Sequence, residues 1–430
     1  MKKMTAMTIL LALLLAGCKQ NQPPEVTKPM DVEPTATYDW MAGESPIPVK
    51  RIGTLRAGLN NTNGLAVSPT GVYYLYQIMQ IYGQTPLGPV ILYADNDSDS
   101  FIRLCGRPDC THTTEDCNAY VKGGKLLSFY GGYLYVITEN DSITEGDNGP
   151  MNQNCQLVRM DPDGTNRIVV ADFEEFAKEQ GCDYAECDMI TDGYCFIRTC
   201  KWEEDTDKSF SGKAQATYYY KLDGSMAQPE KLDAKGMLMY NCGEVILTYH
   251  PESENGGKYG SYWDWDPEMD SMTYLTDHPG EPGWFGKTEA YYFMDEAVRR
   301  LTYATGQEEV VIQTDLQGDY YACCFPDCIV VVSNSVKDVS DKNLYIYNWD
   351  FQLVDTVAVE YTGKMLVAQV VFGETAERIL LSKSSLLPVP THYIEKSELG
   401  TGSVTVHEFD LTAIEDMIKA VKKFYPDLDY

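Results

Sequence analysis

The run Cys105-Gly106-Arg107-Pro108-Asp109-Cys110-Thr111-His112-Thr113-Thr114-Glu115-Asp116-Cys117 brings three thiols and an imidazole close together in the chain. Cys105, Cys110, His112 and Cys117 are the number and kind of ligands taken by a closed, tetrahedral structural zinc site. The spacing is not that of the common zinc knuckle. Pro108-Asp109 suits a turn between the first two cysteines. Disulfide pairing within a surface loop is the competing use of the same thiols. The two readings part at His112, which zinc requires and a bridge ignores. Catalysis by the metal is disfavoured, because four protein ligands leave no open coordination position.

Other residues compete for chemical roles. Cys182, Cys187, Cys195 and Cys200 form a second cysteine group inside strand-like runs, where cysteine also serves as a small core residue. Cys323 and Cys324 are adjacent, which strains any bridge between them. Asp95-Asn96-Asp97-Ser98-Asp99 alternates acids as a calcium loop does, but lacks the glycine and the distal glutamate. Asp264, Asp266, Glu268 and Asp270 alternate similarly, and a solvated loop or hairpin is the expectation for both. Tyr259, Tyr262, Trp263 and Trp265 lie among glycines and acids, a composition that suits stacking on sugar rings. The competing reading makes the same aromatics one face of a core strand. No nucleophile elbow, zinc-protease helix, phosphate loop or dinucleotide fingerprint occurs.

The elements that must carry these residues read as strands. Thirty-one tyrosines against thirteen phenylalanines suit half-buried strands with wet edges. One strand type recurs at Gly71–Tyr76, Gly132–Val136, Gly193–Ile197, Gly243–Leu247, Glu289–Phe293, Cys328–Val332 and Arg378–Leu381. A partner strand follows at Leu157–Gly164, Tyr218–Gly224 and Leu344–Asp350, twice ending in Asp-Gly, a tight-turn signal. The spacing of roughly forty to sixty residues is that of propeller blades, which bury their faces only by stacking around an axis. These strands resemble the repeats of TolB-like exported β-propellers. The resemblance implies an all-β propeller of about seven blades over residues 49–411. Val49–Leu55 is expected to complete the last blade beside Ser403–His407. Thr412-Ala413-Ile414-Glu415 reads as a capping box opening a short C-terminal helix over 412–430. Its apolar face, Leu411, Ile414, Ile418, Val421 and Tyr425, is expected to pack on the propeller.

The first residues read as an address. Lys2 and Lys3 precede an apolar run, Thr8–Leu15, too short to span a bilayer. Leu15-Ala16-Gly17-Cys18 then resembles the bacterial lipobox at every position. The resemblance implies cleavage after residue 17 and lipid on Cys18, holding the chain to the outer face of the cell membrane. Residues 18–48 carry Pro23, Pro24, Pro29, Pro34, Pro46 and Pro48 and read as an extended linker. The Cys-x4-Cys-x-His-x4-Cys block itself resembles one found in uncharacterised exported lipoproteins with propeller repeats, a likeness that implies no activity.

Sixty-four acids against thirty-four basic residues give a formal charge of -30, which repels nucleic acid and anionic lipid. The expected role is a surface-anchored binding or scaffold module whose central propeller face holds a glycan, peptide or protein. The alternative is an exported hydrolase or lyase acting on polysaccharide through carboxylates.

Overall fold

The protein, seen in a computed structural model, is described over residues 64–76, 88–142, 152–191, 193–204, 210–232, 237–242, 245–250, 260–267, 269–277, 282–317, 320–333, 343–359, 371–382 and 389–424. Twenty-eight strands among them form seven antiparallel sheets of four. The first holds β1 (Leu65–Ser68), β2 (Gly71–Tyr76), β3 (Val90–Asp95) and β4 (Ile102–Arg103). The second holds β5 (Gly124–Tyr130), β6 (Tyr133–Ser142), β7 (Asn152–Met160) and β8 (Ile168–Asp172), and the helix α1 (Phe173–Glu179) follows it. The third holds β9 (Tyr184–Thr191), β10 (Tyr194–Glu204), β11 (Phe210–Lys221) and β12 (Glu230–Leu232). The fourth holds β13 (Met237–Cys242), β14 (Val245–His250), β15 (Ser261–Asp266) and β16 (Ser271–Thr276). The fifth holds β17 (Pro282–Phe285), β18 (Glu289–Met294), β19 (Ala297–Thr302) and β20 (Gln307–Gln313). The sixth holds β21 (Tyr320–Cys324), β22 (Ile329–Ser333), β23 (Asn343–Tyr347) and β24 (Leu353–Ala358). The seventh holds β25 (Val371–Glu374), β26 (Arg378–Leu381), β27 (His392–Glu395) and β28 (His407–Glu408).

Each sheet is built from four consecutive strands, and first strands adjoin: β1 meets β5, β5 meets β9, β9 meets β13, β13 meets β17, and β17 meets β21. First strands therefore lie toward the axis and fourth strands toward the rim. The chain is a seven-bladed β-propeller with a short C-terminal helix, as its repeats imply. Alternation along a strand explains how both faces are buried. Tyr73 and Leu75 of β2 pack with the second sheet, while Val72, Tyr74 and Tyr76 pack with the seventh. Cys195 and Ile197 of β10 face the second sheet, and Phe196 faces Trp265 of the fourth.

The ring closes without a strand shared between its ends among the described residues. Val49–Leu55, expected to supply one, lies outside them. The first and seventh sheets instead share a core that includes Leu65, Tyr74, Phe372, Leu380 and Tyr393. Asp99 and Asp410 bond across the seam, with Phe101 N–H donating to Asp410 O (3.1 Å) and Asp410 N–H to Asp99 O (2.7 Å). Buried Arg378 adds a clasp, donating to Ser98 O (2.8 Å), Asp99 and Glu395 (2.8 Å) while its guanidinium sits 4.2 Å from the Tyr393 ring centre.

The C-terminal helix α2 (Glu415–Phe424) packs on this seam through Met417 and Ile418, together with Leu411 and Ile414 just before it. Its start differs from the expected capping box. A 3-10 turn, Thr412–Ile414, precedes it, and the Thr412 N–H and hydroxyl both donate to the carboxylate of Asp410. Asp410 sits two residues before Thr412, where the seam already fixes its backbone, so its carboxylate takes both bonds from outside the turn, whose N-cap position is Leu411. Tyr425 lies outside the described residues.

Candidate metal centre

The cysteine–histidine block is the link from the rim strand of the first sheet to the axis strand of the second. Its two ends are pinned to one residue: Leu104 N–H donates to Ile91 O (2.9 Å), and Ile91 N–H donates to Ala119 O (2.7 Å). Within the loop, Cys110 N–H donates to Arg107 O (3.3 Å), closing the turn expected at Pro108-Asp109. A second turn closes between Cys117 N–H and Thr114 O (3.0 Å). His112 adopts φ 55°, a left-handed conformation that costs a non-glycine residue about 1–3 kcal/mol and persists only where its surroundings demand it.

These turns bring the four side chains together. One ligand atom from each of Cys105, Cys110, His112 and Cys117 lies within 4.8 Å of the others, and His112 Nδ1 is 3.2 Å from Cys117 Sγ. Tetrahedral zinc with sulfur at about 2.3 Å sets its ligands about 3.8 Å apart, so the donor set fits in kind, number and separation. The electrostatics suit it. Burial raises the Cys105 thiol, but hydrogen bonds from Arg107, with Cys117 and Cys110 beside it, bring it down to about 7. Burial lowers His112, helped by the Arg103 and Arg107 cations against the Asp416 carboxylate, a direction that favours the neutral imidazole ligation needs. Burial pushes Cys117 up to about 11, a thiol that a metal would have to deprotonate.

Residues distant in sequence support the loop. Arg167 donates to the carbonyls of Tyr120 (2.6 Å), Cys117 (3.1 Å), Asn118 and Gly164 (3.0 Å). Asn118 donates to Asp163 O (3.2 Å), and a Cβ on Gly164 would stand 2.4 Å from the Asn118 carbonyl. The Asp163-Gly164 turn thus does more than join β7 to β8. It takes a positive φ of 79°, as expected of Asp-Gly, but in a loop wider than a two-residue hairpin. Sequence reasoning missed Arg167; its signal, an arginine just past an Asp-Gly turn, is too common to single out.

An open cleft of about 660 Å³ adjoins the cluster, lined by Ile102, Arg103, Arg107, Asn118, Asp163 and Ala413 among others. Arg103, one of its lining residues, pairs with Asp416 of α2. The cleft lies at the rim, beside β4, whereas the sequence pointed to the axis face.

The other candidate residues lie elsewhere. Trp265 is 1% exposed and packs against Tyr194, Phe196 and Tyr219 of the third sheet. Tyr262 is buried against Phe285 of the fifth, at 5.1 Å between ring centres. Trp263 is half-buried, with Tyr274 beside it. Tyr262 and Trp265 therefore face opposite neighbouring blades and do not form one aromatic platform. Tyr259 and Cys18 lie outside the described residues. Of the acidic turns, Asp95 accepts from the Asp97 N–H (3.1 Å), Asp99 belongs to the seam, and Asp270 accepts from Trp265 Nε1 (3.2 Å).

No family model matches the sequence, and no curated protein matches it. Among solved structures, the chain is similar to the designed protein Ika8 at 10% identity, covering 85% of this chain and 100% of that one, with a TM-score of 0.35. TolB from Acinetobacter baumannii is 12% identical, with 68% of this chain and 64% of that chain covered and a TM-score of 0.32. The β-propeller domain of the Trilobed protease from Pyrococcus furiosus is 9% identical, with 75% and 99% covered and a TM-score of 0.34. The assignment of the fold rests on the seven sheets themselves.

Proposed function

We propose that the protein is a lipid-anchored, extracytoplasmic propeller that binds a peptide, protein or glycan in the rim cleft, with a structural zinc ion shaping one wall. The observation that carries this is the cleft beside a complete four-ligand set. A closed metal site has no position for substrate, so its contribution is to fix the loop that forms the wall. The lining mixes apolar Ile102 and Ala413 with Arg103, Arg107, Asn118 and Asp163, the pairing of shape and sparse polar groups that ligand sites use. Anchoring rests on the Leu15–Cys18 motif, and the proline-bearing linker would hold the propeller off the membrane.

The test has two parts. Cys18→Ser should move the protein from the membrane fraction to the medium; a variant still processed and membrane-bound rejects the anchor. Peptide and glycan arrays probed with the chain lacking residues 1–18 should give hits that Ile102→Glu and Ala413→Glu abolish while bound zinc stays unchanged. Hits that survive both substitutions, or an array with none, reject the cleft.

A further inference from the structure

We infer that Cys187 and Cys195 form a disulfide that staples β9 to β10 when the chain folds in the presence of a disulfide oxidant. Their sulfur atoms are 3.2 Å apart, already in contact, and a bond at about 2.05 Å requires a shift of only about 1 Å.

The juxtaposition is a product of register. Cys195 faces Ile190 and Phe196 faces Met189, so an unbroken ladder would set Ile197 against Asp188 and Cys187 against Arg198, on the other face from Cys195. The ladder shifts between Phe196 and Ile197, and Ile197 faces Cys187 instead. A bulge at Asp188 therefore carries Cys187 onto the face that holds Cys195. Asp188 turns to Arg198, with its carboxylate 2.6 Å from Nε. The two thiols then share the core between the second and third sheets with Cys182 and with Cys155 of β7, which interacts with Cys187 and is a competitor for the bridge.

The chemistry is thiol–disulfide exchange. One thiolate, having lost its proton to solvent, attacks the S–S bond of a low-molecular-weight disulfide or a thiol–disulfide oxidoreductase and expels one thiolate of the oxidant. The second thiolate then attacks the mixed disulfide, forms the Cys187–Cys195 bond and expels the other. Two electrons pass to the oxidant, and two protons leave the protein. Burial raises both thiols above their usual range, so the docked blade reacts slowly. The bond forms as the β9–β10 hairpin closes and before the second sheet covers it.

The chain lacking residues 1–18 would be denatured and reduced, then refolded in a glutathione buffer with oxidised glutathione and zinc. Free thiols are alkylated and bridges mapped by peptide mass spectrometry. We expect one Cys187–Cys195 bridge, retained in Cys155→Ser, lost in Cys195→Ser, and raising the Tm by about 3 °C or more over the reduced protein. Alkylation of both Cys187 and Cys195 in the refolded wild-type chain, or a bridge from either to Cys155, overturns the inference. Mapping of the wild-type and Cys155→Ser chains decides the matter even if Cys195→Ser fails to fold.

Discussion

Zinc and disulfide make different demands on His112. A metal site requires its imidazole and cannot close without it, whereas bridged cysteines leave it idle. The side chain is held in a costly backbone conformation and pointed at Cys117 Sγ, an arrangement that a disulfide would not need. Protein purified under reducing conditions should carry about one zinc per chain by elemental analysis, and His112→Ala should lose most of it and lower the Tm. Equal stability of His112→Ala and the wild-type chain, with no metal in either, would reject the zinc site. The ligand types were legible because soft donors this dense in thirteen residues are rare. Their supports were not: Ile91 acts only through its backbone, and Arg167 comes from the β7–β8 loop, 47 residues from Tyr120. Cys187 and Cys195 were visible as part of a cysteine group, but their contact depends on a one-residue bulge that no sequence pattern announces.

Among elements, legibility followed burial. All seven recurring strands found in the sequence overlap second strands of the sheets, and the three partner strands overlap third strands. Those central strands are covered on both faces by neighbouring blades, so they carry continuous apolar and aromatic runs. Outer strands such as β20, with Glu308, Glu309 and Val310 exposed, and the two-residue β4 and β28 leave little pattern to read. The aromatic stripe of β15 was legible as such, but its partners were not, since Trp265 and Tyr262 serve two different blade interfaces. Closure was hard to read for a related reason: the strand expected to supply it, Val49–Leu55, lies outside the described residues, and the seam contacts that are described include Arg378, whose partners Ser98 and Asp99 lie about 280 residues away. Arg378→Ala removes the Ser98 and Asp99 bonds, leaves Glu395 without its cation and strips the Tyr393 ring. Urea unfolding should show a loss of about 2–4 kcal/mol, reduced from the fully buried case because Asp99 and Glu395 are partly exposed. Lys178→Ala, which breaks the exposed pair to Glu174 on α1, should change stability by about 0.5 kcal/mol or less. Equal effects from the two substitutions would remove the clasp from the account of closure.

At the scale of the whole molecule, charge and burial set the same direction for pH. Asp188, beside Arg198 and Glu186, is raised by burial to about 6. Glu374, wholly buried with Lys396 and Asp327 where the sixth sheet meets the seventh, is raised by burial to about 7. A carboxyl whose folded pKa exceeds its unfolded value binds its proton more tightly in the native state. Its contribution is therefore complete below about pH 4 and is lost as the pH climbs through the folded values near 6 and 7. The formal charge of -30 adds to this, because protonating surface carboxylates relieves repulsion within the compact state. Asp223 and Asp410 act in the other sense: hydrogen bonds from Ser225 and Thr412 lower them, so their contribution is lost as the pH falls below about 4. Stability should accordingly peak at about pH 4 and decline toward neutrality. Differential scanning calorimetry at low salt should record a Tm that falls between about pH 5 and 7.5. The double variant Asp188→Asn, Glu374→Gln should flatten that slope, whatever its absolute stability, because its side chains no longer take up those protons. A wild-type Tm that climbs steadily from pH 5 to 8 would mean that neither carboxyl holds its proton on folding, and that the buried pairs with Arg198 and Lys396 are ionised throughout.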